Sequence, residues 1–383
     1  MIFPQKKSFR SCLALLPLAL TVGFSFSSPA SAAAWTQPEY LYRYFVWGAQ
    51  FAFSSRSDDY RRYGYHTIDK APTAFQFAPG KRDLVPETVE YDDGEGVKRV
   101  ALSGLLQSTG THAFIVLRDN QVLYENYFNG FARDSLCTAW SVSKSVTSAL
   151  VGIAISEGYI KSLDDPITNY LPELKAQGFE PITIRNLLTM GSGIQYRIGF
   201  LPWDEFVLAG YYPDLRQLLL SDLKIMEPPG QTFHYNNFNA ELIGMILERT
   251  THRPPSQYLQ EKIWQPIGME YPATWSIDSE QDGFELTPIL LNARAIDLAK
   301  FGRLYLTMAI GTASRSFPSN GLPIRLPGIP ATSAHGRRFP DGRTTAATTS
   351  TSGGAFLRER TTTATWGSAP MASTFSSRRK RES

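Results

Sequence analysis

"CTAWSVSKSVTSALVGIAISEG", residues 137–158, sets Ser141 and Lys144 three residues apart at the head of a run of small and apolar residues. The run has a helical pattern from about Ser141 to Glu157, and Gly158 stands at a C′-like position where a helix ends. A serine at a helix start meets free backbone N–H groups and the positive end of the helix dipole, both of which favour developing negative charge. Lys144, one turn on, brings its amine beside that hydroxyl. Partial burial lowers a lysine pKa, so the amine is neutral often enough to take the serine proton. The bland alternative is a core helix with two polar residues at its rim. Spacing does not decide between them, because Ser-x-x-Lys recurs at Ser221 and Lys224 and again at Ser377 and Lys380. Only Ser141 opens a run able to bury a turn of helix, which makes it the candidate nucleophile and Lys144 its base.

A second constellation strengthens the first. "PPGQTFHYNNFNAELIGMILE", residues 228–248, holds Tyr235, Asn236 and Asn237 in a turn ahead of a helix. A phenol there can share a proton with Lys144 and hand it to a leaving group, and the Asn237 amide can orient Lys144 and a substrate carbonyl. Tyr-x-Asn also occurs at Tyr124 and Tyr127, where strand alternation accounts for it.

Composition narrows the chemistry. Of the formal net charge of +3, the last 75 residues carry +8 and the first 32 carry +3, which leaves residues 33–308 at −8. An acidic body excludes nucleic acid as the partner implied by the basic pI. Lys6, Lys7 and Arg10, the apolar run "CLALLPLALTVGFSF" and "ASA" ending at Ala32 form a secretory signal, with a periplasmic or secreted destination. After its removal no apolar run is long enough to span a membrane. Cys137 is then the single cysteine, so no internal disulfide forms. The five histidines are scattered, which argues against a metal site.

Residues 33–99 are aromatic-rich and irregular, with "YRYFVWGAQFAF" their packed segment. "HAFIVLRDNQVLYENYFNGF" is a hairpin turning at Arg118, Asp119 and Asn120. Helices are expected within "ITIRNLLTMGSG", from Asn239 to Arg249, from Ser256 to Ile263 and over "RAIDLAKFGRLYL".

Taken in order, "SVSK", "EGYIKSLDDPITNYLPEL", "ITIRNLLTMGSG", "PPGQTFHYNN", "YLQEKIWQPIGM" and "RAIDLAKFGRLYL" closely resemble the serine hydrolases of the class C β-lactamase and penicillin-binding protein superfamily. Within it, "AWSVSKS" and "NARAIDLAKFGRLYL" are most similar to 6-aminohexanoate-dimer hydrolases and related esterases. The resemblance covers about residues 100–306. It implies an α+β, β-lactamase/transpeptidase-like fold, with an antiparallel sheet flanked by helices, a helical subdomain and the site between them. It implies Ser141 as the acylated nucleophile, Lys144 as general base, Tyr235 as second proton carrier and Asn237 as substrate-orienting amide. No metal or organic cofactor is implied, and the substrate is a small-molecule amide or ester. A non-catalytic protein that binds a peptidoglycan-like ligand is the rival from another class. An α/β-hydrolase is disfavoured, since Gly-x-Ser-x-Gly is missing and "GSG" at 191–193 fits a helix end.

One departure follows. The superfamily carries a third motif, Lys or His, any residue, then Gly, on a strand that completes the oxyanion hole. "KFG" at Lys300 lies within a helical pattern, and His335 and Gly336 are adjacent. Beyond 308 the texture also changes: residues 309–383 hold 23 Ser or Thr and neither Val nor Tyr. The domain of residues 100–308 is therefore expected to lack its C-terminal strands, with 309–383 a low-order basic tail produced by a frame break near Leu306 to Met308. Translating the other two frames downstream of codon 306 is expected to yield, in one of them, aromatic-rich strands with a His- or Lys-x-Gly motif. Stop codons and unpatterned residues in both would make the tail genuine.

Overall fold

The computed structural model describes residues 34–51, 56–309 except 93, 95 and 119, and 362–366. The expected signal segment, His335, Ser377, Lys380 and most of the expected tail lie outside the described residues.

The N-terminal region is more regular than its sequence suggests. Helix α1 (Pro38–Phe51) presents Tyr40 and Tyr44, one turn apart, to the interior. Their hydroxyls donate to the carbonyls of Pro202 at 2.5 Å and Phe200 at 2.8 Å. Strand β1 (Tyr65–Ile68), the short β2 (Ala78–Pro79) and the hairpin pair β3 (Thr88–Asp92) and β4 (Val97–Ala101) follow, then helix α2 (Leu102–Ser108). Aromatic residues also stand on its exposed side, Tyr42 and Phe45 among them, so composition alone does not separate its two faces.

The expected hairpin forms. Strands β5 (Ala113–Arg118) and β6 (Gln121–Tyr127) pair antiparallel from Ala113↔Tyr127 to Arg118↔Gln121, with an irregularity at Val116 and Leu117. Asn120 closes the turn at φ +66°, a conformation asparagine tolerates better than most residues. β2 runs parallel to the outer edge of β6.

After β7 (Cys137–Thr138), residues 142–264 form helices joined by long loops. The helices are α3 (Val142–Ser156), α4 (Ile184–Leu188), α5 (Glu205–Tyr211), α6 (Leu215–Ser221), α7 (Asn237–Thr251) and α8 (Pro255–Leu259), which runs on into a wider turn at Gln260–Trp264. The chain then returns to the sheet through β8 (Ala273–Ser276) and β9 (Leu291–Ala293) and ends in α9 (Ala295–Ala309). β9 lies between β8 and β7, so the strands on either side of the helical insertion are joined in one sheet of order β1-β8-β9-β7. One apolar cluster holds the insertion together, with Val146, Leu150 and Ile153 of α3 and Leu242, Met245 and Ile246 of α7 all buried. Each such aliphatic side chain contributes about 1.5–3 kcal/mol on burial. Gly158 closes α3 at φ +80°, as expected.

Beyond 309 one described segment has strand form. β10 (Thr362–Trp366) pairs antiparallel with β5, from Thr362↔Leu117 to Trp366↔Ala113. The sequence reading did not single this segment out as a strand. That reading weighed β-branched aliphatic residues, whereas threonine is β-branched and tryptophan aromatic, and both suit a strand.

Two glycines give a contrast in tolerance. Gly193 sits at φ +74°, and a Cβ there meets the Glu227 carbonyl oxygen at 2.0 Å. Gly210 in α5 has nothing within 4 Å of the same atom. Gly193→Ala is expected to lower the unfolding free energy by ~2–4 kcal/mol, and Gly210→Ala to raise it by ~0.5–1 kcal/mol, as measured by urea unfolding. Equal effects from the two would show that the close approach at Gly193 is absent.

Candidate active site

Ser141 occupies the N-cap of α3, with φ −64° and ψ −6°. Trp140 before it takes φ +47°, a strained value for a bulky residue of the kind that clusters at functional turns. Ser143 pins this turn from inside. Its hydroxyl donates to the Trp140 carbonyl at 2.6 Å and accepts from the Leu291 N–H at 3.2 Å. The Ala139 N–H in turn donates to the Leu291 carbonyl at 2.8 Å, so β9 fixes the chain on both sides of Ser141.

The Lys144 side chain is 1% exposed. Its Nζ lies 3.2 Å from Ser141 Oγ and donates to the Pro288 carbonyl at 3.0 Å. Burial brings the amine down from 10.5 to about 7, opposed by the Glu241 carboxyl. At neutral pH a large fraction of this lysine is therefore free base, the form that can accept a proton.

Tyr235 completes the group. Its hydroxyl donates to Ser141 Oγ at 2.6 Å, and Lys144 Nζ lies 4.8 Å from the centre of its ring. Burial raises the phenol, and the bond to Ser141 pulls it back. Anchors on each side position it. The His234 N–H donates to the Met190 carbonyl at 2.7 Å, and Asn236 caps α7 by accepting from the Phe238 N–H at 2.9 Å while its amide donates to the Ile194 carbonyl at 3.0 Å.

Three of the four expected residues thus converge on one oxygen. Asn237, the fourth, is buried at the first turn of α7. Its Oδ1 has no hydrogen-bond partner among the described residues, so an acceptor is left over. The rival patterns separate cleanly. Ser221 and Lys224 are exposed, and Ser221 Oγ is spent on the Gln217 carbonyl. Lys300 is buried within α9, ion-paired to Glu270 at 3.0 Å. Cys137 is a poor alternative nucleophile, because burial pushes its thiol up to about 11. Ser143, the Pro288 carbonyl and Glu241 were not foreseen. Only Glu241 left a trace in the sequence, as an acid inside the apolar stretch of α7.

The sequence profile described as "Beta-lactamase" matches residues 102–367, more than half of the chain. The chain belongs to the β-lactamase family. The match extends beyond the 306 where the resemblance stopped, through β10. Among curated relatives, the 6-aminohexanoate-dimer hydrolase of Paenarthrobacter ureafaciens is 30% identical over 256 residues, 64% of each chain. Esterase EstB of Burkholderia gladioli is 27% identical over 46% of this chain and 48% of its own. This chain thus spans less than two thirds of the length of either relative. A solved structure from Bacillus anthracis, provisionally assigned as a 6-aminohexanoate-dimer hydrolase, superposes with a TM-score of 0.56 at 24% identity, covering 73% of this chain and 74% of that one. That likeness supports the β-lactamase/transpeptidase-like fold. Relatives in this family include hydrolases of amides and esters by their names. Among the described residues no helix is long and apolar enough to cross a membrane, and no cluster of His, Cys, Asp and Glu is placed to hold a metal.

The lysine makes pH a direct probe. Reaction at Ser141 is expected to fall about tenfold per pH unit below about 7, as Lys144 takes up a proton and loses its lone pair. Stability moves with the same group. Between about 7 and 10.5 the unfolded chain holds a proton that the folded lysine lacks, so Lys144 makes stability rise with pH across that window. A flat rate of covalent serine labelling from pH 5 to 8 would contradict the assignment.

Proposed function

We propose that this chain is a serine hydrolase that cleaves an amide or ester through an acyl-enzyme on Ser141. The observation behind this is the approach of one hydroxyl to both a fully buried amine at 3.2 Å and a phenol at 2.6 Å. Neutral Lys144 takes the Ser141 proton as Oγ attacks the substrate carbonyl carbon. The negative charge that develops on the carbonyl oxygen forms at the head of α3, where the helix dipole favours it. Tyr235 delivers a proton to the departing nitrogen or oxygen and is reprotonated from Lys144, leaving an ester on Ser141. Water then enters along the same proton path, and the acid is released. The unpartnered Asn237 Oδ1 suits a substrate N–H. The names of the amide- and ester-cleaving relatives support a small-molecule substrate of that class. The basic and apolar N-terminal run favours a periplasmic or secreted enzyme.

A second reading, a truncated or frameshifted inactive member or a peptidoglycan-ligand binder, draws support from the missing Lys- or His-x-Gly strand before the tail. Covalent labelling distinguishes the two. Purified protein treated with a fluorophosphonate or fluorescent penicillin is expected to carry label on Ser141. Ser141→Ala is expected to abolish that label, and Ser221→Ala to leave it intact. Lys144→Ala or Tyr235→Phe is expected to slow labelling about a hundredfold or more. No label on the native protein would favour the binder, and label on another serine would displace Ser141.

A further inference from the structure

The stretch "IGFLPW", residues 198–203 in the loop before α5, carries no charge, and Ile198, Phe200, Leu201 and Trp203 face solvent, Phe200 being 60% exposed. Single apolar side chains at a surface are ordinary, but this group continues into others. Trp203 stands edge-on to Trp35, with ring centres 5.8 Å apart. Tyr44, which donates to the Phe200 carbonyl, is edge-on to Phe45, and Phe45 is exposed on the outer side of α1 together with Tyr42 and Val46. Charges beside the patch are spent on one another: Arg197 pairs with Glu205 at 2.9 Å and Arg43 with Glu39 at 2.8 Å.

The backbone of this loop is satisfied from within. Four consecutive carbonyls accept from the protein itself: Phe200 from the Tyr44 hydroxyl, Leu201 from the Asp204 N–H at 2.9 Å, Pro202 from the Tyr40 hydroxyl and Trp203 from the Arg197 guanidinium at 2.7 Å. The Leu201 N–H donates to the Asp204 carboxylate at 2.9 Å, and Pro202 has no N–H to place. Gly199 permits the tight turn, since a Cβ there would strike Asp204 Oδ2. A loop that faces water leaves carbonyls to water and turns apolar side chains inward. This one does the reverse. Polar backbone groups closed off internally, with apolar side chains outward, are what a segment needs against hydrocarbon, where nothing offers a hydrogen bond. A protein partner makes no such demand, because it supplies hydrogen bonds of its own.

The entry of the chain points to the same neighbour. Trp35 is the third residue after Ala32, where the secretory signal is expected to be cut. That cut is made at a bilayer, so the new N-terminus and the two tryptophans start at its surface. Even from Phe26, the end of the apolar run, the chain to Trp35 reaches no more than about 30 Å. Tryptophan and tyrosine are also the side chains that settle at headgroup level.

We propose that the 198–203 loop and the outer side of α1 form a surface that seats this protein on a lipid bilayer, with the aromatic rings at headgroup level. The contact is from one side and spans nothing. It draws on the reading of the N-terminal run as an export signal and is independent of the chemistry at Ser141.

The test compares the protein recovered after export with two variants, Ile198→Ser/Phe200→Ser/Leu201→Ser on the loop and Tyr42→Ser/Phe45→Ser on α1, each checked for folding by its thermal transition. The probe is vesicles of phosphatidylcholine alone in about 0.5 M sodium chloride, which removes attraction through the basic residues beyond 308. Native protein is expected to sediment with the vesicles, its tryptophan emission shifted to the blue and quenched by lipids brominated on their acyl chains. Either variant is expected to lower the partition coefficient about tenfold or more. Native protein that stays in solution overturns the proposal; if light scattering then shows a dimer that the variants make monomeric, a second copy covers the patch instead. Equal binding by native protein and a folded variant overturns it as well, because the apolar run or the tail is then what holds the vesicle. If the loop variant does not fold, the α1 variant decides by the same ratio.

Discussion

The burial of a single lysine amine constrains the rest of the site. A charged amine taken out of water without a counter-ion costs several kcal/mol, so Lys144 is held near the point of losing its proton. Even a neutral amine needs a hydrogen-bond acceptor in that space, and the Pro288 carbonyl at 3.0 Å supplies it. To place that carbonyl, the chain between β8 and β9 must thread between α3 and α7. Thr147 and Ala240 bond it there through Thr287, and the missing Cβ of Gly244 makes the room. Helix, strand and loop thus serve one requirement: bury the amine and leave it a fixed backbone acceptor beside Ser141.

The nucleophile and the phenol are held from opposite sides of this space. Ser141 is set by its own helix start and by β9, through Ser143 and Leu291. Tyr235 is set by the loop after α4, where Met190 at φ +58° and Gly193 at φ +74° bend the chain so that its carbonyls meet the His234 and Met226 N–H groups. Because the anchors are mostly backbone hydrogen bonds, geometry near Ser141 depends little on which side chains line the opening. Substrate choice can therefore change while the proton path is kept.

That division explains what could be read from the sequence. Ser141, Lys144 and Tyr235 were legible because each lies in a short segment whose chemistry is local: a helix start, a one-turn spacing, a turn before a helix. The Pro288 carbonyl was not, since any residue has a carbonyl and only the fold says where it points. Strands β8 and β9, of four and three residues, were missed for the same reason, as their pairing joins segments far apart in sequence and their length is too short for alternation to show. Helix α1 was missed because its aromatic residues fall on both its buried side, Tyr40 and Tyr44, and its exposed side, Tyr42 and Phe45. For Asn237 the position was legible and the role only half so: the turn could be placed, but the direction of its amide is decided by packing against neighbours from elsewhere in the chain.

The pairing of β10 with β5 separates two demands that one strand usually meets together. The edge of β5 must be covered, since unpaired N–H and C=O groups beside a buried apolar face are costly. Ile115 of β5 packs there against Ile296 and Ala299 of α9, so the strand is committed to the core whether or not a neighbour arrives. Backbone pairing carries no sequence information, and an extended segment rich in threonine meets that demand as well as an aliphatic one. An oxyanion-hole strand has a second demand, a lysine or histidine presented one residue away from a glycine, and this belongs to side chains and to register. Thr362–Trp366 contains neither a basic residue nor a glycine. A segment can thus satisfy the sheet without itself supplying the third motif.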